Sequence, residues 1–138
     1  MNRDGALPKI FPKRLPGHWQ LIETLTGPGV PDSNYCMDGV EGWVEFKKTS
    51  GWKAGLRTMQ VAWIERRIRA GGNVYIAIRR KCDAGAHRKA ADELWLYHGE
   101  SVRDLKLKSM KEVNDFLYKG ERGPRNWDWE AIENILTS

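Results

Sequence analysis

The stretch over residues 56–70 constrains this chain most. Leu56, Met59, Gln60, Trp63, Ile64 and Arg67 recur at spacings of three and four, the period of one helical face. Gly71-Gly72 then ends the helix with the residue type that tolerates a left-handed C-cap. On both sides the period changes to two. In residues 40–48, Val44 and Phe46 share one face and Trp43, Glu45 and Lys47 the other. In residues 73–79, Val74, Ile76 and Ile78 alternate with Tyr75, Ala77 and Arg79. A long helix framed by strands predicts an α/β protein: a small mixed β-sheet flanked by helices.

The remaining segments are shorter. Pro8, Pro12 and Pro16 interrupt residues 1–17, which are expected to form an extended basic arm, with residues 18–138 as a single domain. Residues 18–26 present Trp19, Leu21, Ile22 and Leu25 as the apolar side of a short helix. Gly27, Pro28, Gly29 and Pro31 break the chain after it, and Asn34 is expected to close an Asx turn. Residues 93–98 read as a strand and 82–91 as a polar loop. Ser109 and Glu112 stand at capping-box spacing, predicting a helix that carries Val113, Phe116 and Leu117. Asp128 can cap a last helix carrying Ile132, Ile135 and Leu136, with Trp127 and Trp129 as packing anchors at its start.

Composition excludes several classes. The 138 residues suit one domain with its own core. No apolar run reaches the roughly 20 residues of a membrane-spanning helix. The N-terminal stretch lacks the apolar centre of a secretory signal. Cys36 and Cys82 make neither a disulfide framework nor a metal knuckle, so a reducing cytoplasm, of a bacterium or of a virus-infected host, is the expected compartment. Lys and Arg number 23 against 18 Asp and Glu, a net charge of +5, and the basic residues fall in clusters. Such a surface attracts polyanions, and with seven tryptophans it points to nucleic acid as partner.

The chemistry lies in residues 29–60. Glu45 and Lys47 project to one face of a strand, about 6.6 Å apart along it. Phe46 lies between them on the other face and offers a backbone carbonyl beside Glu45. Asp32 follows a Gly/Pro turn 13 residues upstream, enough chain for a strand, a tight turn and a return. Asp32 and Glu45 can therefore meet, and two carboxylates that meet need a cation to stay ionised. Hard oxygen ligands select Mg²⁺ or Mn²⁺. A bound water could be activated there for attack on a phosphodiester, with Lys47 orienting it or stabilising developing negative charge. Gln60 sits in the apolar stripe of the following helix, facing the sheet.

Pro31-Asp32 followed by Glu45-Phe46-Lys47 resembles the PD-(D/E)xK nuclease superfamily. Gln60 on the next helix, then Gly71-Gly72-Asn73-Val74-Tyr75-Ile76, is most similar to the branch of virus-type replication-repair nucleases and Holliday junction resolvases. The resemblance spans residues 19–80. It implies a restriction-endonuclease-like core and a Mg²⁺-dependent endonuclease, selective for branched DNA or junctions, leaving 5′-phosphate and 3′-hydroxyl ends. It implies Asp32, Glu45, Lys47 and Gln60 as catalytic residues. Asp32, Glu45 and the Phe46 carbonyl would hold the metal, with Glu23 on the first helix as a further ligand. Expected DNA contacts are Lys13, Arg14, His18, Lys48, Trp52, Lys53, Arg67 and Arg79, although Trp52 also suits a lid on the core edge. A homodimer is expected, because one site cuts one strand and the C-terminal part carries spare apolar residues. No organic cofactor is implied. The rival reading is a non-catalytic nucleic-acid-binding subunit with a nuclease-like fold.

Overall fold

A strand with apolar residues on both faces must be covered on both. In the strand Val74–Cys82, Val74, Ile76 and Ile78 face one way, Tyr75 and Ala77 the other, and all five are buried. The computed structural model, which describes residues 6–22 and 27–138, shows how that cover is built. The elements run α1 (Leu7–Arg14), β1 (His18–Leu21), β2 (Ser33–Met37), β3 (Val40–Thr49), α2 (Thr58–Arg69), β4 (Val74–Cys82), β5 (Ala91–His98), α3 (Val102–Leu107), β6 (Tyr118–Gly120) and α4 (Trp129–Leu136). The six strands make one sheet in sequence order. The pairs β1–β2, β2–β3, β4–β5 and β5–β6 are antiparallel, whereas β3–β4 is parallel. A parallel pair needs a crossover connection, and α2 supplies it. The protein is a small mixed α/β fold, as the patterning predicts. Among the described residues no helix is long and apolar enough to cross a membrane.

Each sheet face has its own core. On one face Leu7, Ile10 and Phe11 of α1 and Ile132 and Leu136 of α4 pack on Tyr35, Val44, Phe46, Tyr75 and Ala77. On the other, Val61 and Ile64 of α2 and Val102 and Leu105 of α3 pack on Val74, Ile76, Ile78 and Tyr97. Helix α4 is tied at both ends. The Asp128 carboxylate accepts from the Ala131 N–H at 3.0 Å. At the far end the hydroxyls of Tyr35 and Tyr75 donate to the carbonyls of Leu136 and Ile135, at 2.7 and 3.0 Å. Gly71 leaves α2 at φ +95°, the left-handed turn expected of it.

Four local expectations are corrected. Residues 7–14 are helical, not an extended arm. Pro8 lies in the first turn, where its missing N–H costs nothing, and Leu7, Ile10 and Phe11 have helical spacing. Residues 18–21 form an edge strand instead of a helix, because pairing with β2 and the stacking of Trp19 on Tyr35 at 5.0 Å outweigh local propensity. Asn34 lies within β2, its side-chain N–H donating to the Gly42 carbonyl at 3.0 Å. After Ser109 only a single 3-10 turn forms, Met110–Glu112. The chain is then drawn out along the sheet, where the Leu117 N–H donates to the Leu96 carbonyl at 2.7 Å and the Tyr97 hydroxyl to the Val113 carbonyl at 2.9 Å. The apolar residues of the C-terminal part are used inside the chain: Trp95, Tyr97, Trp127, Ile132 and Leu136 are all buried, and Leu117 is exposed.

Candidate active site

The β2–β3 hairpin ends its pairing at Ser33 and Val44, so Asp32 emerges beside the next two residues of β3. Its backbone carbonyl accepts from the Ile22 N–H at 2.8 Å, and its carboxylate Oδ2 accepts from the Phe46 N–H at 2.9 Å. Gly29 seats the preceding loop. It adopts φ +85°, and a Cβ there would collide with the Met59 carbonyl at the start of α2. The carboxylate of Asp32 is thereby held against β3 at the position its spacing from Glu45 predicts.

Glu45 points to the α2 side of the sheet, beside Ile76, and is 1% exposed. Gln60, in the first turn of α2, donates from Nε2 to Glu45 Oε2 at 2.9 Å. The other end of the Gln60 amide accepts from the Arg57 N–H at 2.9 Å, which fixes its orientation and satisfies a helix-start donor. Lys47 Nζ stands 3.5 Å from Glu45 Oε2. Glu45 Oε1 is buried with no hydrogen-bond partner among the described residues. Burial, and then the neighbouring Asp32 charge, push the Glu45 carboxyl up to about 8, against the lowering effect of Lys47.

A buried carboxylate with one bare oxygen beside a second carboxylate is a donor set for a hard cation. The Phe46 carbonyl joins it. Backbone N–H and C=O of one strand residue leave on the same edge, and the Phe46 N–H faces Asp32. Asp32, Glu45 and the Phe46 carbonyl are the groups that could hold Mg²⁺ or Mn²⁺, which commonly keep several waters beside one or two carboxylates. Among the described residues no group of three or more Asp, Glu, His or Cys side chains converges. Glu23 lies outside the described residues.

A cleft of about 350 Å³ opens beside this cluster, lined by Ala6, Leu7, Pro8, Asp32, Phe46, Lys47, Lys48 and Arg79. Lys48 is exposed at its rim. Arg79, expected at a DNA surface, is 2% exposed and forks onto Asp92 with two 2.8 Å bonds. It lies against the ring of Trp127, with its side chain bound into the fold. Lys13 and Arg14 occupy the last turn of α1, with Arg14 over the Trp129 ring at 6.0 Å, and His18 is exposed at the start of β1. Arg67 lies near the C-terminal end of α2, over Trp63 at 4.6 Å and Trp43 at 5.3 Å, about 10 Å along the helix from Gln60. Trp52 is half-buried at the core edge: Arg80 covers its ring at 3.8 Å, Lys111 approaches at 5.0 Å, and its edge meets Trp95 at 6.0 Å. Lys53 beside it is exposed.

The structure therefore brings Asp32, Glu45, Lys47 and Gln60 together, with Lys48 adjoining. Sequence patterning missed the part of Asp92 in holding Arg79. It also missed the apolar wall from Ala6 to Pro8. Helical spacing of Leu7, Ile10 and Phe11 was the available signal for that wall. No protein-family model matches the chain, and none of the curated proteins searched matches it.

Proposed function

We propose that the chain is a Mg²⁺-dependent endodeoxyribonuclease of the PD-(D/E)xK type, working in the cytoplasm on branched DNA or junctions. The observation that carries this is Glu45: buried, one oxygen fixed by Gln60, the other bare, with Asp32 alongside and Lys47 at 3.5 Å. A chain that only binds DNA gains nothing from a buried carboxylate with a second carboxylate beside it.

A divalent ion held by Asp32, Glu45 and the Phe46 carbonyl would supply an activated water and neutralise phosphate charge. The protein's own part is positional. Gln60 locks the Glu45 carboxylate in one orientation, and the Phe46 N–H does the same for Asp32. Lys47 places its ammonium where negative charge develops on the phosphate. Exposed basic residues, Lys48 at the cleft rim and Lys53, Lys13 and Arg14 elsewhere on the surface, attract the backbone without reading bases.

The test is hydrolysis of a labelled four-way junction, flap, duplex and single strand in Mg²⁺, Mn²⁺ or EDTA. Mg²⁺-dependent cleavage that is lost in Asp32→Ala and Glu45→Ala, with folding and DNA binding kept, supports the assignment. Binding without cleavage of any substrate means a non-catalytic binding subunit.

A further inference from the structure

Among the described residues no strand pairs with the β2-side edge of β3 beyond Val44. Strand β3 has ten residues and β2 only five, so β2 pairs with residues 40–44 alone. The Trp43 N–H donates to the Asn73 carbonyl at 2.9 Å, which sets the odd-numbered amides of β3 toward β4. The Phe46 N–H points the opposite way, to Asp32. By the same alternation the Lys48 N–H and C=O also leave on the β2-side edge. Among the described residues no carbonyl or carboxylate takes the Lys48 N–H.

The 350 Å³ cleft lies along that edge and has two chemically different walls. One is charged: Lys47, Lys48 and Arg79 with the Asp32 carboxylate among them, and the Lys48 amide leaves on this edge. The other, at the start of α1, is apolar: Ala6, Leu7 and Pro8. Its volume is in the range of small-ligand sites. An anion with an apolar body matches both walls. Asp32 and Lys47 belong to the cleft and to the carboxylate cluster alike, so a phosphate on the Lys48 amide would neighbour the reacting centre.

We propose that this cleft is a nucleotide subsite, in which the phosphate next to the scissile one binds the Lys48 amide and the two lysines while its sugar and base lie against Ala6, Leu7 and Pro8. The assignment rests on the nuclease reading for its place in the reaction, but it is tested without catalysis. The ¹⁵N-labelled full chain in EDTA is titrated with 5′-phosphorylated thymidine dinucleotide, with the unphosphorylated dinucleotide, and with inorganic phosphate. The amides of Lys48 and Leu7 should shift and saturate with the phosphorylated dinucleotide, and more weakly with the other two. Lys48→Glu should weaken that binding at least tenfold. Lys119→Glu, on β6, should leave it within twofold. Shifts that bypass Lys48 and Leu7, or inorganic phosphate binding as tightly as the phosphorylated dinucleotide, would overturn the subsite. The two proposals fail separately. Shifts at Lys48 without Mg²⁺-dependent cleavage keep the subsite and remove the nuclease. Cleavage without those shifts does the reverse.

Discussion

Replacing Glu45 with glutamine should stabilise the metal-free protein, and by an amount that grows with pH. In the fold the Glu45 carboxyl sits at about 8 against an ordinary value of 4.5, because it is buried and beside Asp32. The folded state therefore holds this proton more tightly than the unfolded chain does. Below pH 4.5 both states are protonated and the group carries no penalty. As pH rises from 4.5 to 8 the unfolded chain ionises freely and the folded one does not, so stability falls. The slope is about 1.4 kcal/mol per pH unit. At pH 7 the accumulated cost is about 3 kcal/mol, and it levels off above pH 8. Glutamine keeps the shape and an oxygen for the Gln60 N–H, but has no charge to bury. Urea unfolding of wild type and Glu45→Gln in EDTA at pH 5, 6, 7 and 8 measures this. The difference between the two proteins cancels every contribution they share. The variant should gain little at pH 5 and about 3 kcal/mol at pH 7. A difference that stays constant from pH 5 to 8, or a variant less stable throughout, would refute the argument.

Other consequences are as specific. Lys47→Ala should lower single-turnover cleavage by about 10²–10³ with little change in DNA affinity, measured by quench-flow and fluorescence anisotropy. Asp92→Ala withdraws both 2.8 Å bonds from a buried guanidinium and should cost about 3 kcal/mol, read by denaturant titration. Duplex affinity should fall with a log–log salt slope near −0.9 for each phosphate neutralised, and a flat salt dependence would remove the electrostatic account of binding.

The legible parts of the fold were those in which one period runs uninterrupted. Residues 74–78 alternate cleanly between two apolar faces, α2 has a helical stripe ended by glycines, and α4 has a local cap in Asp128. Stripe membership was less legible: Met59 is 55% exposed, and Val61, outside the predicted stripe, packs instead. Segments whose structure comes from distant partners are not legible in local pattern. Residues 18–21 become a strand because β2 lies beside them, and residues 113–120 are pulled straight by β5. In α1 the prolines concealed a helical spacing that only the sheet face, through Phe46 and Tyr75, makes useful. The site shows the same division. Glu45 and Lys47 share a face by strand period alone, and Asp32 reaches them by hairpin arithmetic. The 2.9 Å bond from Gln60 to Glu45 and the pairing of Arg79 with Asp92 depend on side-chain placement across the fold, which no local pattern encodes.

In the proposed reaction Asp32 and Glu45 share a divalent cation on which cleavage depends. Mn²⁺ titration followed by electron paramagnetic resonance, run beside cleavage of a labelled junction at each Mn²⁺ concentration, tests it most directly. The wild type should bind one tight ion per chain, with cleavage rising with its occupancy, and Asp32→Asn and Glu45→Gln should each lose both. Cleavage that persists in either variant without the bound ion, or a tight ion that survives both substitutions, would contradict it.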